Sequence, residues 1–226
     1  MTAMAHRDKT APIRIDFVSD VSCPWCAVGL KSLEQALARI GDEIAVELHF
    51  QPFELNPQMP PAVQDAVEHL TRKYGITPQQ AAQNGEGIRA RGAELGFTFD
   101  MDKRRRVYNT FDAHRLLHWA GLEGEDRQVA LKHILLRAYF SDGENVADHD
   151  ALVRLAQQAG LDPQRARAIL VSGEYADDVR RQEALYAARG ISAVPSVILD
   201  ERHLIQGGQP PELFERALRQ LAAQSA

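Results

Sequence analysis

Strand character in this chain is confined to two stretches near its ends, and a long helical stretch separates them. "IRIDFVS", 13–19, is rich in β-branched and aromatic residues and reads as a strand. "CPWCAVGLKSLEQALARIG" follows with helical spacing, which places Val28, Leu30, Leu33, Leu37 and Ile40 toward a core. "EIAVELHFQPF", 43–53, alternates and reads as a second strand. From about Pro61 to Gly190 the spacing predicts helices over 62–74, 78–95, 103–120, 125–140, 148–159, 163–171 and 174–188. Thr77, Asp102 and Asp162 are the expected N-caps, and glycines including Gly121 punctuate the run. Strand character returns in "VPSVILD", 194–200, and "RHLIQGG", 202–208, which can pair as a hairpin across Asp200-Glu201. "PPELFERALRQLAAQ" closes the pattern as an amphipathic helix with Leu213, Phe214, Leu218 and Leu221 on one side.

The order β-α-β, helical block, β-β-α implies an α/β fold whose single sheet is assembled from two separated stretches. The expected division is a sheet-bearing unit of 12–60 and 190–226, interrupted by an inserted all-helical unit of 61–189. Residues 1–11 are polar and read as a frayed tail. A chain of 226 residues can bury a sizeable core without covalent staples.

A net charge of −5 argues against nucleic acid as the main partner. No run approaches the roughly 18 apolar residues of a membrane span. The first residues lack the apolar segment of a secretory signal, so a cytoplasmic location is expected. Thiols there are mostly kept reduced, and a disulfide is usually transient and catalytic.

That compartment sharpens the meaning of the two cysteines, Cys23 and Cys26, which stand at the junction of the first strand and the first helix. A bond between them would close a loop of about four residues and stabilise by only roughly 2 kcal/mol, so the pair is a poor staple. A cysteine at a helix N-terminus faces unpaired N–H groups and the positive end of the macrodipole, both of which favour the thiolate. Cys26, one turn further in, has less of that help and more burial. Cys23 is thus the attacking thiol and Cys26 the resolving one. Pro24 suits the first helical turn, and Trp25 would shield the pair from water.

Zinc would need two further ligands. "AHRLLH" offers His114 and His118 one helical turn apart, but their distance along the chain is far from zinc-finger spacing, and no metal is expected. The helical spacing puts Val107, Phe111, His114 and His118 on one face. His114 is a candidate for the neighbourhood of Cys23, where an imidazolium would favour thiolate, the alternative being a packed core residue. His118 is expected to be a packed interface residue. The basic run Lys103-Arg104-Arg105-Arg106 reads as a solvated helix start.

"DFVSDVSCPWC", "NTFDAHRLLHWA" and "VPSVILDERHLIQGGQPPELF", in this order, resemble the DsbA-like thioredoxin family, and most closely its cytosolic FrnE-like branch. The resemblance covers roughly residues 13–222 and implies a thioredoxin-like fold and a thiol–disulfide oxidoreductase. It implies that Pro195 is a cis proline packed against Cys23, with the backbone of Val194 offered to a substrate chain. Protein thiols and disulfides, or glutathione as a redox substrate, are the implied partners, with no other cofactor. Monomer and homodimer both remain open. Pro-Trp stands here where periplasmic DsbA proteins carry Pro-His, so a strongly oxidising potential is not implied. Two alternatives share the fold. Glutathione transferases of the kappa class and 2-hydroxychromene-2-carboxylate isomerases generally have serine at the first active position, against which the intact CPWC argues. A chaperone-like binder of unfolded chains would use the same apolar cleft.

Overall fold

The computed structural model describes residues 11–59 and 64–224. Ten residues of the expected polar tail, and the expected boundary at 60/61, lie outside them. In chain order the elements are β1 (Ile13–Ser19), α1 (Pro24–Ile40), β2 (Val46–Pro52), β3 (Gln64–Asp65), α2 (Ala66–Tyr74), α3 (Pro78–Glu94), β4 (Arg106–Val107), α4 (Phe111–Glu123), α5 (Glu125–Arg137), α6 (His149–Gln158), α7 (Pro163–Val171), α8 (Ala176–Ala188), β5 (Ser196–Leu199), β6 (His203–Gln206) and α9 (Pro211–Gln224).

The main sheet has the order β2-β1-β5-β6. β1 runs parallel to β2, with Phe17 opposite Phe50, and antiparallel to β5, with Phe17 opposite Val197. The α/β architecture expected from the sequence is present, with α2 to α8 inserted between β2 and β5. β5 and β6 form the expected hairpin, and both Asp200 and Glu201 adopt positive φ, as a tight turn matched to strand twist requires. The Asp200 carboxylate accepts from the Arg14 N–H at 3.0 Å, which ties the turn to β1.

β1 is buried along its whole length apart from Arg14, because both of its faces are covered, and Asp16 and Ser19 are buried with the apolar residues. α1 buries Val28, Leu30, Leu33 and Ile40, while Leu37 is half-buried against the same core. One apolar cluster continues from Ile15 and Phe17 of the sheet into Leu116, Leu131 and Leu135 of the inserted helices. The junction also has a polar seam. β2 is an edge strand, and side chains of α5 occupy its hydrogen-bonding groups: Leu48 N–H donates to Glu125 Oε1 at 2.8 Å and Phe50 N–H to Gln128 Oε1 at 3.0 Å. Gln128 Nε2 returns a bond to the Phe50 carbonyl at 3.2 Å, so an amide side chain stands in for part of a neighbouring strand.

The helical block follows the sequence pattern except where tertiary pairing overrides it. Thr77 and Asp162 are side-chain N-caps, Thr77 within a reciprocal capping box with Gln80. The helix expected over 103–120 starts only at Phe111, and Asp102 caps nothing. Arg106 and Val107 instead pair with Asp65 and Gln64 as β4 and β3. The Tyr139 hydroxyl fixes this stretch, accepting from Arg104 Nε at 3.1 Å and donating to the Arg106 carbonyl at 3.0 Å. The Arg104 guanidinium lies 5.3 Å from the Tyr139 ring centroid, while Lys103, Arg105 and Arg106 are exposed, so the basic run is mostly solvated as expected but starts no helix. Gly121 lies inside α4, whose stop is Gly124, and the expected 62–74 helix begins at Ala66 within the described residues.

Candidate active site

Cys23 is the N-cap residue of α1, with extended backbone and Pro24 immediately after it. Its N–H donates to the Asp20 carbonyl at 3.2 Å, and its own carbonyl accepts from Cys26 N–H at 3.1 Å. Both cysteines are free thiols and both are buried, Cys26 completely. The Val194-Pro195 peptide bond is cis. The Cys23 thiol points at the Val194 carbonyl, 3.6 Å away, across more than half of the chain length. Pro195 is held from its other side by Gly207 N–H, which donates to the Pro195 carbonyl at 2.8 Å.

Two glycines permit this close approach. A Cβ on Gly29 would meet Pro195 Cγ at 3.0 Å, and one on Gly208 would meet Trp25 Cε3 and Val28 Cγ1, each at 3.1 Å. Trp25 is 44% exposed and so covers the pair only in part. Lys73 and Tyr74, at the end of α2, lie within electrostatic reach of Cys23, and Lys73 Nζ is anchored to the Leu55 carbonyl at 2.8 Å.

Behind the cysteines the site is polar and buried. Asp20 receives Ser22 N–H at 3.1 Å and Leu55 N–H at 2.7 Å, so one carboxylate fixes both the turn into α1 and the chain leaving β2. His114 is not placed by any direct bond to Cys23. Its Nε2 lies 3.5 Å from Asp20 Oδ1, and both side chains are almost wholly buried. Burial by itself would push the Asp20 carboxyl up, but His114 and the backbone N–H groups of Leu55 and Ser22 hold it below the usual carboxylate range. His118 faces elsewhere, its ring 5.3 Å from that of Tyr175. Val107 is on β4, so the four-residue helical face expected from the sequence exists only from Phe111 onward.

Burial pushes the Cys26 thiol well above its ordinary range, and the adjoining Cys23 adds to that effect. Lys132 of α5 is the chief group acting the other way on Cys26, and it is itself fully buried. Glu54, just beyond β2, is pushed up to about 7 by burial and then by the neighbouring Glu183, with Arg180 between them as counter-charge. Asp20, Glu54 and Lys132 went unnoticed in the sequence. Asp20 had a usable signal, a short acid at the end of a buried strand, and so did Lys132, which shares the helical face of Leu131, Leu135 and Leu136. Among the described residues no three Cys, His, Asp or Glu side chains converge as a metal set.

A family model for the DSBA-like thioredoxin domain matches residues 14–219. The chain belongs to the DSBA-like thioredoxin family. Within that family a solved structure of a probable DsbA oxidoreductase from Streptomyces coelicolor is 37% identical, with a TM-score of 0.87 over 94% of this chain and 91% of that one. The Bacillus subtilis (strain 168) protein YwbO is 27% identical over 208 residues, which is 91% of this chain and 96% of that protein. The cytosolic disulfide reductase DsbM of Pseudomonas aeruginosa, solved with GSH, shares the fold at a TM-score of 0.62 and 16% identity, over 92% of this chain and 98% of that one. No helix among the described residues is long and apolar enough to cross a membrane.

Proposed function

We propose that this member of the DSBA-like family exchanges disulfides with protein thiols or glutathione through Cys23 and Cys26, in the manner of its cytosolic, FrnE-like branch. The observation that carries the reading is the convergence of three separate parts of the chain at one sulfur. Cys23 caps α1, Cys26 lies buried one turn behind it, and the Val194 carbonyl beside the cis Pro195 stands 3.6 Å from the Cys23 thiol. Cys23 attacks one sulfur of a substrate disulfide and releases the other as a thiol. Cys26 then attacks Cys23 within the mixed disulfide, closing the Cys23–Cys26 bond and freeing the second substrate thiol. Run backward, the same steps oxidise a dithiol. Val194 and Pro195 supply the surface against which an extended substrate segment lies. Trp25, half-exposed at the rim, gives an apolar contact to either kind of substrate.

Reduction of insulin by dithiothreitol tests the reading. The Cys23→Ser chain is expected to lose the acceleration entirely. Cys26→Ala should instead trap a mixed disulfide on Cys23, visible as an added mass that dithiothreitol removes. Full activity in Cys23→Ser would sink the assignment. The location is tested separately, by fractionating cells that express the tagged full chain, with recovery in the cytoplasm expected.

A further inference from the structure

Between β2 and the helices α4, α5 and α8 lies a cavity of about 180 Å³ that the exchange chemistry above does not use. None of Cys23, Cys26 and Pro195 lines it, so it is separate from the exchange site. Its wall is basic. Arg14 of β1, His49 of β2, His114 and His118 of α4 and Lys132 of α5 all line it, and among the described residues no aspartate or glutamate does. The chain as a whole carries a net charge of −5, so this concentration of basic groups is local.

Three of these side chains carry a buried nitrogen without a partner. Lys132 is fully buried and His114 nearly so, and neither Lys132 Nζ nor His114 Nε2 has a hydrogen-bond partner in the protein. The same is true of His49 Nε2. Buried polar groups of native proteins are nearly always paired, and a cluster of exceptions around one cavity points to a ligand. Carboxylates approach only from outside the cavity. Asp16 holds the Arg14 guanidinium at 2.9 and 2.7 Å, Asp20 Oδ1 lies 3.5 Å from His114 Nε2, and Glu47 Oε2 lies 3.7 Å from His49 Nε2. None of them forms an ion pair with Lys132. The histidines do not converge as a metal set, and a lysine and an arginine in the same wall favour an anion over a cation.

We propose that this cavity binds a small organic carboxylate, with its charged end among Lys132, His114 and His49 and its apolar body against Phe50, Leu117 and Leu122. Histidine Nε2 and lysine Nζ can both donate to a carboxylate oxygen, so one anion answers all three nitrogens. Opposite charges a few ångströms apart in a buried wall attract far more strongly than in water, so Lys132 contributes even where another side chain stands between. The apolar share of the wall sets the rest of the ligand. Phe50 presents its ring 5.5 Å from Lys132 Nζ, Leu117 is buried beside it on the cavity, and Leu122 is exposed. A cavity of about 150 Å³ takes a benzene ring, so a body of one ring or a short branched chain matches the volume here. A drug-sized molecule needs roughly 300 Å³ or more and does not fit.

The test titrates benzoate into the full chain at fixed pH and constant ionic strength and follows the histidine ring signals by NMR. Those of His49, His114 and His118 should move together with one saturable midpoint, while those of His69, His133 and His149, which do not line the cavity, stay in place. Benzyl alcohol has the ring without the charge, and inorganic phosphate has charge without the ring. Each should bind about 10-fold more weakly than benzoate, or weaker still. Lys132→Met keeps the length of the side chain without its charge and should weaken benzoate by about 10-fold. Equal affinity for benzyl alcohol overturns the anion site, and phosphate as tight as benzoate overturns the organic ligand. Shifts that never saturate, or that reach the outlying histidines equally, mean non-specific association only and reject the cavity. Unchanged benzoate affinity in Lys132→Met also rejects the site as drawn. Should that variant fail to fold, the three titrations of the unmodified chain still decide. None of these readouts uses the thiols, so the outcome stands apart from that of the exchange reading.

Discussion

The front and the back of the cysteine pair are built from opposite materials. In front, Pro195, Val194 and Gly208 meet Cys23, Trp25, Val28 and Gly29 at the start of α1 through close contacts of shape, with little charge. Behind, Asp16, Asp20, Glu54, His114, Gln128 and Lys132 form a buried polar seam between the sheet and the inserted helices. Asp16 shows the style of the seam: it accepts from Arg14 Nε at 2.9 Å, from Arg14 Nη2 at 2.7 Å and from Gln51 Nε2 at 2.7 Å. A surface made by shape tolerates small changes by shifting, whereas a surface made by pairing loses a whole desolvation cost when one partner goes. The front is therefore the adaptable side of this site and the back is the rigid one.

The contrast makes its largest prediction at Asp20. Asp20→Ala strips the acceptor from Ser22 N–H and Leu55 N–H and the neighbouring carboxylate from His114, and is expected to cost about 3 kcal/mol in urea unfolding. A loss below about 1 kcal/mol would mean that water replaces those bonds and the back is not rigid. Gln128→Leu comes next, since it uncovers the Phe50 N–H and carbonyl at once, with about 2 kcal/mol expected by the same measurement. In front, Gly29→Ala pushes against Pro195 Cγ at 3.0 Å, and about 1 kcal/mol of overpacking is expected. Its larger effect should fall on insulin reduction, slowed several-fold as the Val194-Pro195 segment moves from Cys23.

The smallest effect is a change of slope with pH. Glu54 has a folded-state value of about 7 against an ordinary 4.5, so the folded chain holds that proton more tightly. Its contribution to stability is complete below about 4.5 and is lost as pH rises through about 7. Glu183→Gln removes the neighbouring carboxylate and should flatten the fall of Tm across that window. Equal slopes in the two chains would show that burial alone, without Glu183, holds Glu54 up.

The front of the site was legible in the sequence because each part of it has a local signature. Cys23 and Cys26 stand at a strand-to-helix junction, and Val194-Pro195 opens an apolar strand. The strands and the caps at Thr77 and Asp162 were legible for the same reason. The back was not, because its residues become important only through burial. Lys132 sits in "VALKHILL" on the same helical face as Leu131, Leu135 and Leu136, but its charge speaks for solvent, and only the fold shows the amine enclosed beside Phe50 of β2. The 103–110 stretch failed similarly. Asp102 offers a cap for a helix, but basic residues in a first turn oppose the macrodipole, and pairing of Arg106-Val107 with Gln64-Asp65 and the grip of Tyr139 are long-range effects.

The bonds from Glu125 and Gln128 to β2 have a consequence for how the molecule meets other chains. A sheet normally offers two open borders to a stray β segment, and here one is already occupied by helix side chains that cannot propagate the ladder. Only β6, at the opposite border of the described sheet, keeps the means to recruit a further strand. Extension of this sheet is thus directional. Under the proposed exchange with protein thiols, one closed border keeps the sheet from being templated there by a substrate segment.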